Sequence, residues 1–118
     1  MEEEKGRIEW LPYDEGRTIG KTGSERGIIL RDEHWYDVTR ITLERDGYTP
    51  FAITCGFYGW LVHTTFGDDL REMEQRYEDM KLELVRFWDL LPNNSDPEKD
   101  KKMEVFYTEI HTFIDKFR

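Results

Sequence analysis

The chain has one cysteine in 118 residues and no apolar run long enough to cross a membrane. Its single thiol, Cys55, excludes an intrachain disulfide, and such scarcity is typical of proteins kept in a reducing compartment. A membrane-spanning helix needs about 20 predominantly apolar residues. The acidic start, MEEEKGR, also lacks the apolar segment of a signal peptide. These absences predict a cytoplasmic protein that does not associate with membranes.

Basic residues are also few relative to acidic ones, since the chain has 17 Lys and Arg and 26 Asp and Glu, which gives a net charge of −9. A negative field repels phosphate backbones, which argues against nucleic-acid binding and leaves a basic protein as the favoured kind of partner. The histidines, His34, His63 and His111, show none of the close spacings of zinc sites. We therefore expect no metal site.

A glycine-rich segment, Gly16–Thr22, approaches the pattern of a phosphate-binding loop. That loop requires four residues between its glycines and a helix directly after its Lys-Thr pair. Here only three residues separate Gly16 from Gly20, and the stretch after Thr22 is a poor helix start. We interpret the segment as a flexible loop within a loop-rich N-terminal part, residues 1–27, which holds one short strand at 7–11. We expect no cofactor.

Charge disappears altogether from Phe51–Phe66, although 36% of the chain is charged. Burial explains such a gap, and its two halves are typical of strands turned back on each other at Gly56–Gly59. Alternating apolar and polar residues predict further strands before it. The predicted sheet, residues 28–66, is an antiparallel meander of about four strands at 28–30, 35–44, 51–55 and 60–66, with a turn at 31–34.

Strand register decides which side chains share a face, because a shift of one residue reverses all of them. At Asp46-Gly47 the apolar pattern favours a three-residue loop with Gly47 in the left-handed conformation. In the next hairpin, a two- or four-residue loop pairs Cys55 with Trp60. His63 then lies on the face opposite Cys55, which excludes a thiolate–histidine pair. The predicted core face comprises Ile41, Leu43, Phe51, Ile53, Cys55, Trp60 and Val62, and the opposite face Ala52, Thr54, Leu61, His63 and Thr65.

Two amphipathic helices are predicted at 68–91 and 97–117, because apolar residues recur at alternating spacings of three and four. They should form an antiparallel hairpin on one face of the sheet, giving a single α+β domain over residues 1–118. The apolar stripes are Leu70, Met73, Tyr77, Met80, Leu84, Phe87 and Leu91 in the first helix, and Met103, Phe106, Ile110, Phe113 and Phe117 in the second.

No catalytic constellation stands out, so we do not expect an enzyme. A small, acidic domain of this kind is typical of inhibitor and immunity proteins, which act by binding a partner. Phe57 and Tyr58 occupy a hairpin tip where small polar residues are usual. Either they fold back under the N-terminal loop, or they are exposed, as aromatics that anchor interfaces often are. The leading hypothesis is therefore a protein-interaction domain that docks a basic partner through an aromatic patch at Tyr36, Tyr48, Phe57 and Tyr58.

The alternative hypothesis is a small-molecule-binding domain or minor enzyme. Its pocket would lie between the uncharged outer face of the sheet, at Thr54, His63 and Thr65, and the loop Gly16–Gly27 acting as a lid. A homodimer through a helix surface is a third possibility.

Overall fold

The computed structural model describes residues 9–118, which form an antiparallel sheet followed by two helices. The predicted α+β meander is confirmed, with five strands in chain order instead of about four. Part of the predicted strand at 7–11 belongs to residues 1–8, which lie outside the described residues. The elements are β1 (Leu11–Pro12), a 3-10 turn (Tyr13–Gly16), β2 (Ile28–Trp35), β3 (Thr39–Arg45), β4 (Phe51–Phe57), β5 (Leu61–Gly67), α1 (Leu70–Leu90) and α2 (Lys99–Lys116).

The polar run 31–34 is the middle of β2, so the turn predicted there is wrong. Polar residues are tolerated in this strand because each of its faces offers them partners. Asp32 is bound by Arg40 on the outer face of the sheet, and Glu33 accepts hydrogen bonds from two side chains of α1 on the helix-covered face. The chain turns later, at Tyr36, whose φ is 51°.

The predicted core face of β3 and β4 is confirmed, because Ile41 pairs with Cys55 and Leu43 with Ile53, and all four side chains are buried. The three-residue loop predicted between these strands is wrong, since the connection covers residues 46–50. The observed register differs from the predicted one by an even number of residues, since Ile41 pairs with Cys55 instead of Phe51. An even difference leaves every side chain on its predicted face.

The glycine of that loop has a different role from the one predicted. Asp46 takes the left-handed conformation, with a φ of 58°. A Cβ at Gly47 would overlap the backbone of Glu25 and Gly27. Gly47 is therefore required by the close approach of the N-terminal loop, because any larger residue would push that loop away.

The predicted register of the second hairpin is wrong by an odd number of residues. Its loop has three residues, 58–60, and Gly59 adopts the left-handed conformation with a φ of 87°. Cys55 consequently pairs with His63 instead of Trp60. An odd shift reverses every side chain of β5, so Leu61 is buried at 7% exposure while Val62 is 81% exposed.

Both helices pack against the face of the sheet that carries Ile41, Ile53 and Cys55. Helix α1 begins after Asp69, whose carboxylate accepts hydrogen bonds from the backbone of Arg71 and Glu72. The predicted apolar stripes supply the core, except that Leu70 is exposed and Leu91 and Met103 are half-buried. Neither helix is long and apolar enough to cross a membrane, judged over residues 9–118.

Candidate functional site

The aromatic residues predicted to form a binding patch do not come together. Phe57 is only 1% exposed and packs against helix side chains, whereas Tyr58 is 51% exposed in the hairpin loop. Tyr36 lies in the β2–β3 turn, at the same end of the sheet as Tyr58. Tyr48 lies in the β3–β4 loop, and successive loops of a meander fall at opposite ends. Of the two alternatives for this hairpin tip, Phe57 therefore folds inward, against the helices, and Tyr58 is exposed.

Cys55 and His63 lie on the same face, directly opposite each other on neighbouring strands, so the prediction that they point apart is wrong. Both face the helices. Burial raises the pKa of the Cys55 thiol to about 12, and a bond with the His63 backbone lowers it only in part. The Nε2 atom of His63 lies 2.7 Å from the carbonyl oxygen of Phe117. A thiol kept protonated is a poor nucleophile, and His63 anchors the end of α2.

A cavity lies on the other face of the sheet, which the helices leave open. It is a groove of about 440 Å³ between strands β3–β5 and the N-terminal loop. The loop predicted as a lid does border it, and so does Thr54. His63 and Thr65 do not, because the register of β5 turns them to the helices. The groove is lined by Thr18, Lys21, Thr22, Gly23, Ser24, Ile29, Arg40, Thr42, Glu44, Thr54, Cys55, Gly56, Tyr58 and Val62.

The loop that walls the groove is fixed to the sheet by backbone hydrogen bonds. Gly20 N donates to Ile29 O, and Ile29 N donates to Lys21 O, each over 2.9 Å. Thr22 forms an isolated bridge with Ile28, so no helix follows the Lys-Thr pair. The segment therefore lacks the helix that a phosphate-binding loop requires.

Glu44 provides a second anchor for this loop. Its side chain is 1% exposed at the end of β3. The carboxylate accepts a hydrogen bond from Gly27 N at 2.9 Å and contacts Glu25 N at 3.2 and 3.3 Å from its two oxygens. Bonds from N–H groups satisfy a buried carboxylate without a cationic partner. The loop is thus held where it forms one side of the groove.

Asp32 provides the third anchor, at the other end of the groove. Arg40 donates to it twice, from Nε at 2.9 Å and from Nη2 at 2.7 Å. The hydroxyl of Thr18 also donates to it over 2.7 Å, and the ring of Tyr13 lies 3.5 Å beneath the Arg40 guanidinium. The hydrogen bonds that Arg40 donates to Asp32 raise the pKa of Arg40 above its ordinary value, so this side chain stays charged and holds one position.

The floor of the groove is uncharged. Thr42 and Thr54 lie side by side on adjacent strands. The hydroxyl of Thr54 is 3.2 Å from that of Thr64, which lies on the same face of β5 but does not line the groove. Next to them, Gly56 leaves the strand surface bare, since a Cβ there would meet its nearest neighbours only at 3.8 Å. The exposed side chain of Val62 closes this side. The floor therefore combines hydroxyl groups with apolar surface.

The residues that build the groove, chiefly Asp32, Arg40 and Glu44, were not predicted from the sequence. One signal could have found two of them. Arg40 and Glu44 lie on the polar face of a strand whose other face is buried, separated by Thr42. Charged residues at alternate positions of an inner strand require partners on that face, and the loop-rich N-terminal segment supplies them. Asp32 falls within the turn predicted at 31–34, whereas in the structure it pairs with Thr42 in the ladder and is a diagonal neighbour of Arg40.

Among residues 9–118, no cluster of three or more His, Cys, Asp or Glu side chains could hold a metal ion. Comparison with protein-family models, curated proteins and solved structures finds no match.

Proposed function

We propose that this protein is a small-molecule-binding domain whose site is the groove between the outer face of the sheet and the N-terminal loop. The observation that carries this proposal is a cavity of about 440 Å³ with two walls held by buried carboxylates. Ligand sites in proteins commonly measure about 300–1,000 Å³ and combine apolar surface with a few fixed polar groups. A groove of this volume suits a compact ligand.

The groove favours binding over catalysis because its acids are already engaged. Glu44 is bound by backbone N–H groups, and Asp32 is bound by Arg40 and Thr18. Neither carboxylate is available to move a proton for a ligand. The Cys55 side chain faces the helices, so only the backbone side of this residue borders the cavity. Binding without a chemical step is therefore the better-supported function.

Docking of a basic protein stays a prediction. The net charge of −9 is still compatible with it, but its aromatic centre has lost Phe57 to the core and Tyr48 to the far end of the sheet. A ligand site in the groove needs no such rearrangement, and we prefer it for that reason.

The test is a fragment screen by NMR with the full chain. Fragments that bind are expected to shift the backbone amide signals of Thr42, Thr54 and Gly56 together. Gly56→Val should abolish these shifts, because its added methyl groups project from the floor into the cavity. The residue is in a strand without a positive φ, where valine is well tolerated, so folding should be preserved.

Thr64→Val is the matched control, since Thr64 lies on the same face but does not line the groove. It should bind the same fragments as the wild-type protein. The proposal fails if no fragment shifts the three amides, or if Gly56→Val binds the fragments as tightly as Thr64→Val does.

A further inference from the structure

We infer that the ligand of this groove is a small amphipathic anion, an organic carboxylate or phosphate, whose charged group is bound by Lys21 and Arg40. This inference rests on the proposed function and names the class of ligand. It is based on the positive charge that lines the groove of an otherwise acidic protein, and on the distribution of polar and apolar surface along the cavity.

The charges that reach solvent inside the groove are cationic. Lys21 is exposed and forms no salt bridge within the part of the chain that the structure describes, although the exposed carboxylate of Asp14 interacts with it at longer range. The Arg40 side chain is about a third exposed. The two carboxylates nearby, those of Asp32 and Glu44, are buried and bonded. A ligand in the groove therefore meets positive charge, although the whole protein carries −9.

Arg40 is arranged to receive an anion without changing position. Asp32 occupies its Nε and Nη2 atoms, which leaves Nη1 without a hydrogen-bond partner among residues 9–118. Tyr13 supports the plane of the guanidinium from beneath. A cation that is already fixed loses little conformational entropy when a ligand binds. Because Asp32 cancels much of the charge of Arg40, Lys21 supplies most of the net attraction.

The remainder of the groove fits an apolar group. Val62 is the most exposed apolar side chain of β5, Gly56 presents bare backbone, and the ring of Tyr58 lies within 4 Å of the position of a Cβ on Gly56. These residues could cover an aromatic or short aliphatic body while the anionic group lies at Lys21. A small inorganic ion would leave this apolar surface exposed to water.

The test compares probes that share a phenyl ring and differ in charge, by NMR titration of the groove amides. Benzoate and phenyl phosphate carry the anion, benzamide is the neutral counterpart, and benzylamine is the cationic one. Benzoate should bind about fivefold more tightly than benzamide, since one partly exposed ion pair contributes up to roughly 1 kcal/mol. Comparison of benzoate with phenyl phosphate then shows which anion is preferred.

Lys21→Gln should remove this fivefold preference for benzoate over benzamide. Lys101→Gln, a change at an exposed position of α2, should leave it unchanged. If benzamide or benzylamine binds as tightly as benzoate, the inference is wrong while the groove remains a ligand site. If none of these probes and none of the screened fragments shifts the groove amides, both the inference and the proposed function are wrong.

Discussion

Replacement of Glu44 by glutamine tests whether the N-terminal loop is fastened by a buried carboxylate. The carboxylate satisfies two backbone donors, Glu25 N and Gly27 N. The amide oxygen of glutamine at the Oε1 position keeps the bond from Gly27 N. The N–H₂ group at the Oε2 position then faces Glu25 N, which is 3.3 Å from that position, so this donor loses one acceptor and is repelled from the site. A buried donor left without a partner costs about 1–3 kcal/mol. We expect Glu44→Gln to lower the free energy of unfolding by about 2 kcal/mol, the middle of that range.

The change in net charge alone would shift the free energy of unfolding of Glu44→Gln in the opposite direction. Glu44→Gln removes one negative charge from a protein with a net charge of −9, which relieves self-repulsion and should slightly stabilise the fold. Glu104→Gln makes the same change in charge at an exposed position of α2, and should change the free energy of unfolding by less than about 0.5 kcal/mol. The difference between the two variants isolates the hydrogen bonds of Glu44.

Urea denaturation supplies the free energies, and hydrogen exchange locates the effect. The amides of Glu25 and Gly27 should exchange faster in Glu44→Gln, because their shared acceptor is weakened. Amides in the centre of β3 and β4 should change only as much as global stability does. The reasoning is refuted if Glu44→Gln and Glu104→Gln are equally stable, or if the loop amides keep their wild-type exchange rates.

Three shorter predictions concern the sheet. Leu61→Ala should lower the free energy of unfolding by about 2–4 kcal/mol, whereas Val62→Ala should change it by less than about 0.5 kcal/mol. Urea denaturation measures both values, and a larger loss for Val62→Ala than for Leu61→Ala would contradict the register of β5. Native Cys55 should not react with a thiol reagent at pH 8, because its pKa is raised to about 12, and rapid labelling without denaturant would show that it is accessible. Asp32→Asn should cost about 3 kcal/mol, the lower end for a broken buried ion pair, since Arg40 keeps some contact with water; unchanged thermal stability would rule out a structural role for this pair.

The helices and the central strands were predictable because the spacing of their apolar residues is compatible with only one type of element and one buried face. Residues such as Met73, Tyr77 and Met80 recur with the period of a helix, and no strand would place them on a single face. In β3, the apolar Ile41 and Leu43 alternate with Arg40 and Thr42, so only one face could be the core. The even error in the β3–β4 loop length therefore had no effect on the assignment of faces.

Register in the second hairpin was not predictable from the same rule. Along β5, apolar residues stand at both parities, with Leu61 on one face and Val62 on the other, and no charge distinguishes the two. The three-residue loop around Gly59 determines which of the two residues faces the helices. The groove depended on this outcome, because the odd shift removed His63 from the outer face and brought Val62 into it.

The groove also depended on contacts between segments that are distant in the chain. Thr18 bonds Asp32, and the backbone at Glu25 bonds Glu44, across separations that local patterns do not report. A loop of mixed glycine and polar residues gave no apolar signal for its position. Buried carboxylates hold it, and burial of a carboxylate cannot be recognised before its donors are known.

Glu44 recognises the loop through backbone N–H groups, which every residue except proline provides. Among residues 9–118, the side chains of Ser24 and Glu25 bond only to each other, so they can be exchanged while the wall of the groove stays where it is. Gly23 cannot, because a Cβ there would overlap the carboxylate of Glu44, and Arg26 lies over the ring of Tyr48. Glu44 thus separates the position of the loop from the side chains at 24 and 25. Substitution at these two positions offers a direct way to alter the chemistry beside the groove without redesigning the sheet.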